Sequence, residues 1–125
     1  MTRARRSAYR HGHLAEFLAA ALLLLKGFRL LARRYRTPLG EIDLIVKRGR
    51  TIAFVEVKAR AFERDALESV GRAAERRIVA AADLWLAKHP AATGLDLRYD
   101  MVVVAPWRLP KHLPDAFRPT WPRAW

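Results

Sequence analysis

Cysteine is absent from these 125 residues. That excludes a disulfide-stapled fold, a thiol nucleophile and a thiolate zinc site. Acid is scarce as well, with 12 Asp+Glu against 24 Lys+Arg and a formal charge of +12. The longest apolar run, Phe17–Leu25, has nine residues, whereas a spanning helix takes about 20. No internal repeat is visible, so repeat architectures are excluded too.

Arg3, Arg5, Arg6 and Arg10 ahead of that run outline a basic and then hydrophobic leader. Three features favour a buried first helix over residues 13–26 instead. Glu16 heads the run, no small-x-small cleavage site follows, and Lys26-Gly27-Phe28-Arg29 leads into more folded-looking sequence. Gly27 suits the helix C-cap. The expected location is the cytoplasm, without stable membrane insertion.

What remains is ample material for a core, since 52% of the residues are apolar. The length fits one domain. Nineteen of the basic residues are Arg, and guanidinium suits phosphate. An Arg-rich genome would bias the count the same way. The surplus points to an anionic partner, nucleic acid first and acidic membrane surface second.

Along the chain, Phe28–Arg36 reads as a strand near an edge, and Thr37-Pro38-Leu39-Gly40 as a turn. Glu41–Lys47 and Thr51–Lys58 read as strands, the second rich in β-branched and aromatic residues. Gly49 suits the first central position of a two-residue type II′ loop between them. Leu67, Val70, Ala74, Ile78, Ala81 and Trp85 form one apolar stripe over residues 65–88, divided at Gly71 and ended by His89-Pro90. Arg98–Ala105 reads as a strand buried on both faces. The expected α/β order is α-β-β-β-α-β with one mixed sheet flanked by helices. A basic segment (1–11) precedes the domain (12–105), and a Pro/Trp-rich tail (106–125) follows. The tail carries five of the seven prolines and three of the four tryptophans and fits a wrapping arm or disorder equally.

Chemistry concentrates in the hairpin. With Gly49 and Arg50 as its loop, cross-strand partners have numbers summing to 99. Asp43 then faces Glu56, Glu41 faces Lys58, and all four point to one side. Ile42, Leu44, Val46, Ala53, Val55 and Val57 form a wholly apolar opposite side. Facing carboxylates repel unless a cation lies between them, and hard Mg²⁺ takes carboxylate and water oxygens. Lys58 could order an attacking water or stabilise charge on a phosphate. Glu16 is a further carboxylate in an apolar setting. The same residues also fit a solvated strand face on which Lys58 neutralises Glu41. Asp100 fits a strand-end acceptor for an Arg.

The segments Gly12-His13-Leu14-Ala15-Glu16, Gly40-Glu41-Ile42-Asp43-Leu44-Ile45 and Phe54-Val55-Glu56-Val57-Lys58-Ala59-Arg60 resemble the bacterial YraN-like family. It is an uncharacterised protein family (UPF0102) that looks like a branch of the PD-(D/E)xK nucleases close to archaeal Holliday-junction resolvases. The resemblance runs from about Gly12 to Val104, with three motifs in the right order and at the right distances. It implies a restriction-endonuclease-like domain, with Asp43 as the Asp of the first element and Ile42 in place of its proline. Glu56 and Lys58 match the E-x-K element, and Glu16 matches the helix-one glutamate. It further implies Mg²⁺ (or Mn²⁺) held by Asp43, Glu56, the Val57 carbonyl and Glu16, with Lys58 serving the attacking water. Structured or branched DNA is the implied substrate, and a homodimer suits a symmetrical one. Relatives usually carry a basic residue where this chain has Ala74, so that phosphate contact either falls to Arg72, Arg76 or Arg77 or is lost.

Arg34, Arg36, Arg60, Arg72 and Arg76 are candidates for tracking a phosphate backbone, with ordinary pairing such as Glu68 with Arg72 as the alternative. His11 and His13 are too few for a metal site. Trp107, Trp121 and Trp125 suit packing over the core better than stacking on bases. Two further functions remain open: a non-catalytic nucleic-acid-binding protein with the same fold, and a basic protein that contacts membrane or protein through its first helix and tail.

Overall fold

A computed structural model describes the backbone of residues 3–118 and the side chains of residues 12–118. Helix α1 spans Arg3–Leu25, starting ten residues before the expected 13. Ala and Arg are strong helix formers, so the basic segment extends the helix. Its end is a Schellman motif in which Gly27 takes φ +91°. The Gly27 N–H donates to the Leu24 carbonyl and the Phe28 N–H to the Leu23 carbonyl, at 3.0 and 2.9 Å. Leu23 and Phe28 then pack together in the core.

The sheet runs β1 (Arg29–Thr37), β2 (Gly40–Arg48), β3 (Thr51–Ala59), β4 (Asp96–Val104) and β5 (Lys111–Leu113), and its spatial order is the chain order. Only β3 and β4 are parallel. This is the expected mixed sheet flanked by helices, with β1 on an edge. The β2–β3 hairpin keeps the expected register from Arg48–Thr51 to Leu44–Val55. Gly49 takes φ +60° and Arg50 does not follow it, as a type II′ loop requires.

The long helical stretch divides at Gly71 into α2 (Glu63–Glu68) and α3 (Arg72–Lys88). Ile78, Ala81 and Trp85 of the expected stripe are buried, and Val79, Ala82 and Leu86 widen it. Leu67 of that stripe stays exposed because α2 is a separate short helix. The α3 stripe packs on Ile42, Ile45, Ile52 and Phe54. On the other side, Ala19 and Leu23 of α1 pack on Leu44, Val46, Ala53, Val55 and Val102. The tail is partly ordered into the fold. β5 pairs antiparallel to β4, the Ala116 N–H donates to Tyr99 at 2.8 Å, and Phe117 stacks on the Tyr99 ring. Among the described residues, no helix is long and apolar enough to cross a membrane.

Gly40 sets where α3 lies against β2. A Cβ there would sit 2.1 Å from the Arg77 carbonyl oxygen, a backbone atom that cannot swing aside. Gly40→Ala should therefore cost about 1–3 kcal/mol of stability, as overpacking does. An unchanged urea midpoint would show that the helix can back away freely.

Candidate active site

The site forms where regular strand structure fails. β2 packs Leu44 and Val46 toward α1 but Ile42 toward α3, so its alternation inverts around Asp43. β1 does the same between Ala32 and Tyr35, which both lie on the α3 side, and a separate register shift between Leu30 and Ala32 leaves Leu30 on the α1 side. The pairs Arg33–Leu44 and Tyr35–Ile42 place Arg34 opposite Asp43, and Arg34 takes the left-handed φ of +47°. This corrects the uniform hairpin face expected from the sequence. Ile42 leaves the apolar side, and the β2–β3 pairing ends at Leu44–Val55, one residue short of Asp43 and Glu56. Strict alternation assumes two flat, continuously paired strands, and β2 and β3 part here.

Asp43 fills the parting. Its Oδ2 accepts the Val57 N–H at 2.8 Å, close to where the next ladder bond would form. Burial first, then the nearby Glu56 and Glu16 carboxylates, push the Asp43 carboxyl up to about 7, against the pull of the Val57 N–H. Burial also pushes Glu56 up, opposed by Lys58. The two acids are close enough that the Glu56 charge is the largest cause after burial of the raised Asp43 value. Two carboxylates with opposed strand positions thus meet after all, through the gap instead of across a ladder.

Lys58 and Glu56 form an ion pair at 3.3 Å, both mostly buried. They line an open cleft of about 490 Å³ with Glu41, Val70, Ala74 and Arg77. Glu41 itself is exposed and lies 3.6 Å from Arg36. Glu16 on α1 sits 2.7 Å from the Arg34 Nε, part-buried. So the fold links these residues in a row, Lys58 to Glu56, Glu56 to Asp43 and Asp43 to Glu16, although Glu16 lines a separate groove from the cleft. Val57 joins the row through its N–H, while its strand stays paired to β4.

The arginines separate into different settings. Arg34 is engaged by Glu16. Arg36 and Arg60 are exposed, and Arg60 donates to the Ala59 carbonyl. Arg72 and Arg76 lie exposed on α3. Arg77, one turn beyond Ala74, is the α3 arginine that lines the cleft. The signal for it was the three-residue step from Ala74, which puts both on one helix face. His13 lines a groove with Glu16 and Arg34, whereas the His11 side chain, Trp121 and Trp125 lie outside the described residues.

The donor set is hard oxygen, suited to Mg²⁺ or Mn²⁺. Among the described residues no three Asp, Glu or His side chains converge as a complete metal cluster. The fit rests on the Asp43–Glu56 pair, with Glu16 in electrostatic reach and tied to Arg34. An acid driven to about 7 by burial and two neighbouring carboxylates is what a divalent cation would relieve.

That strain has a measurable sign. Asp43 is raised above its unfolded value, so its favourable contribution is complete below about 3.8 and is lost as pH rises through about 7. Asp43→Asn should therefore raise stability at pH 8 by about 1 kcal/mol or more, a few degrees in Tm, and give no gain near pH 3.5. Equal melting of both proteins at pH 8 would mean that the carboxyls do not repel.

A sequence model of the family described as "Uncharacterised protein family UPF0102" matches residues 15–104. A UPF0102 protein of Mesorhizobium japonicum is 56% identical over 113 residues, 90% of each chain. One from Rhizobium meliloti is 56% identical over 110 residues, covering 88% of this chain and 90% of its own. One from Rhizobium etli is 51% identical over 117 residues, covering 94% and 96%.

Proposed function

The chain belongs to uncharacterised protein family UPF0102, and from its own residues we propose a divalent-metal-dependent nuclease that hydrolyses phosphodiester bonds in structured or branched DNA. The observation that carries this is the parted hairpin, where Asp43 accepts the Val57 N–H at 2.8 Å beside Glu56, which pairs with Lys58 at 3.3 Å. Such an arrangement is costly as structure and useful as a cation site.

Asp43 and Glu56 would hold Mg²⁺ (or Mn²⁺), with the Val57 carbonyl and Glu16 as further oxygen donors. When bound, that ion supplies Lewis-acid polarisation of the scissile phosphate. Lys58 orients the attacking water by hydrogen bonding and offsets negative charge as it develops on the phosphate. Arg77 stands at the cleft wall to receive a phosphate oxygen. Arg36, Arg60, Arg72 and Arg76 offer exposed cations for the flanking backbone, a contact that weakens steeply with salt. Arg34 of β1 holds Glu16 of α1 in place.

A second function, non-catalytic nucleic-acid binding, draws support from the Glu16–Arg34 ion pair and from Ala74, which leaves the cleft without one cation. The deciding experiment incubates the protein with duplex, single-stranded and four-way-junction DNA, with Mg²⁺, with Mn²⁺ and with EDTA. Metal-dependent cutting of the junction is the expected result. Salt-sensitive binding without cutting under any condition gives the protein the non-catalytic role, and absence of binding removes both. The proposed activity belongs in the cytoplasm, with two copies of the chain on a symmetrical junction. Sedimentation with junction DNA should then show a complex of two chains, and a single bound chain would end the dimer proposal.

A further inference from the structure

The sequence favoured Trp107 as a packing residue, and the structure corrects this. Trp107 is fully solvent-exposed, at 102% of the reference area. It follows Pro106 in a turn and takes φ +62°, the left-handed region that costs a bulky residue about 1–3 kcal/mol. A large apolar ring that buries nothing, held in a disfavoured backbone conformation, has no stabilising role in the fold.

The ring borders an open groove of about 510 Å³, within the usual range for ligand sites. Leu14 and Leu18 of α1, Val104 and Pro106 form apolar walls. The groove lies at the carboxyl ends of the two parallel strands, where open α/β sheets bind ligands. Among the described residues, Arg60 is the one charged member of its lining, and no acid joins it. Arg60 is exposed, uses one guanidinium N–H on the Ala59 carbonyl at 2.9 Å, and has four further donors. It stands two residues beyond Lys58 on the same chain segment.

A flat apolar platform with a cation at its rim matches a group that is planar at one end and anionic at the other. We propose that this groove binds an unpaired nucleotide of the DNA, with its base stacked on Trp107 and its phosphate on Arg60. This rests on the nucleic-acid partner proposed above, and it names what part of a branched substrate the protein distinguishes. A fully paired duplex keeps its bases stacked internally and has none to offer the ring. Stacking of this kind tolerates any base, so the preference is for unpaired structure and not for sequence.

The test measures binding, in EDTA, of two DNAs of equal length: a blunt duplex and a duplex with a splayed single-stranded arm. Trp107→Ala should weaken binding to the splayed DNA by on the order of ten-fold and leave the blunt duplex within about two-fold. Trp107→Phe should restore most of the loss. Abasic sites in the arm should reproduce the Ala effect with the parent protein. Arg60→Ala should lower the salt dependence by about one phosphate contact. Because Trp107 is fully exposed, the Ala variant should melt with the parent. Equal affinity of parent and Trp107→Ala for the splayed DNA, or equal loss on both DNAs, would overturn the proposal. If the parent binds neither DNA, the nucleic-acid partner fails with it. If discrimination is present but no DNA is cut with any metal, the groove stands and only the nuclease chemistry falls.

Discussion

Glu56→Ala and Lys58→Ala should each lower the cleavage rate at least about a hundred-fold, while DNA binding stays within a few-fold of the parent. Groups that move protons or meet developing charge are typically worth about 10²–10⁴ in rate. Binding to a polyanion is carried instead by many exposed cations, whereas Lys58 is mostly buried. Glu56→Ala removes half of the carboxylate pair and also relieves Asp43, whose raised value has Glu56 as its second cause after burial. That variant should therefore be at least as stable as the parent at pH 8, so lost activity cannot be blamed on unfolding. Lys58→Arg should not rescue the rate, because a planar guanidinium does not reproduce a compact ammonium beside Glu56. Metal dependence adds a further check. Asp43 must give up its proton for a cation, so the Mg²⁺ requirement should be weaker at pH 8 than at pH 6. Full activity in either alanine variant, with the parent active, would remove these residues from the reaction.

The fold was legible where local rules and long-range packing agree. The II′ loop at Gly49, the break at Gly71 and the buried Val run of β4 each follow from one residue type with one strong preference. β5 escaped notice because Lys111–Leu113 is three residues long among prolines, and an edge strand of that length carries no periodic signal. The site was legible in its residues and not in its geometry. Hairpin arithmetic brought Asp43 and Glu56 together by assuming a ladder that stops at Leu44–Val55. What brings them together is the paired irregularity of Arg34 and Asp43, and a left-handed arginine leaves no mark in composition or alternation. The sequence left Arg72, Arg76 and Arg77 as alternatives beside Ala74, and the contact that Gly40 makes between β2 and α3 puts Arg77 at the cleft.

Asp100→Ala should be the most destabilising single change away from the cleft, at about 3–5 kcal/mol out of the 5–15 kcal/mol that hold a typical domain. The carboxylate is completely buried. It accepts from both Arg98 Nε and Nη2 at 2.8 Å, from His112 Nε2 at 2.7 Å and from the Asp115 N–H at 2.9 Å. Burial alone would raise it, but His112, Arg98 and Asp115 outweigh burial and hold it below the usual carboxylate value. The other ring nitrogen of His112 faces the Lys26 ammonium, so Nδ1 accepts and Nε2 carries the proton. One carboxylate thereby ties β4, β5 and the end of α1, the helix that carries Glu16. Removing it leaves the buried His112 ring and the Arg98 fork without their acceptor. The sign with pH follows from the lowered value. Its stabilisation is present above about 3.8 and is lost as pH falls through the lower folded value. The difference in unfolding free energy between the parent and Asp100→Asn should therefore be flat above about pH 5 and shrink below pH 3.8. Below the melting temperature, Asp100→Asn should retain the parent's cleavage rate, because it touches none of the cleft residues. A pH-independent difference, or lost cleavage in a fully folded Asn variant, would mean that Asp100 acts otherwise than as the anchor of this network.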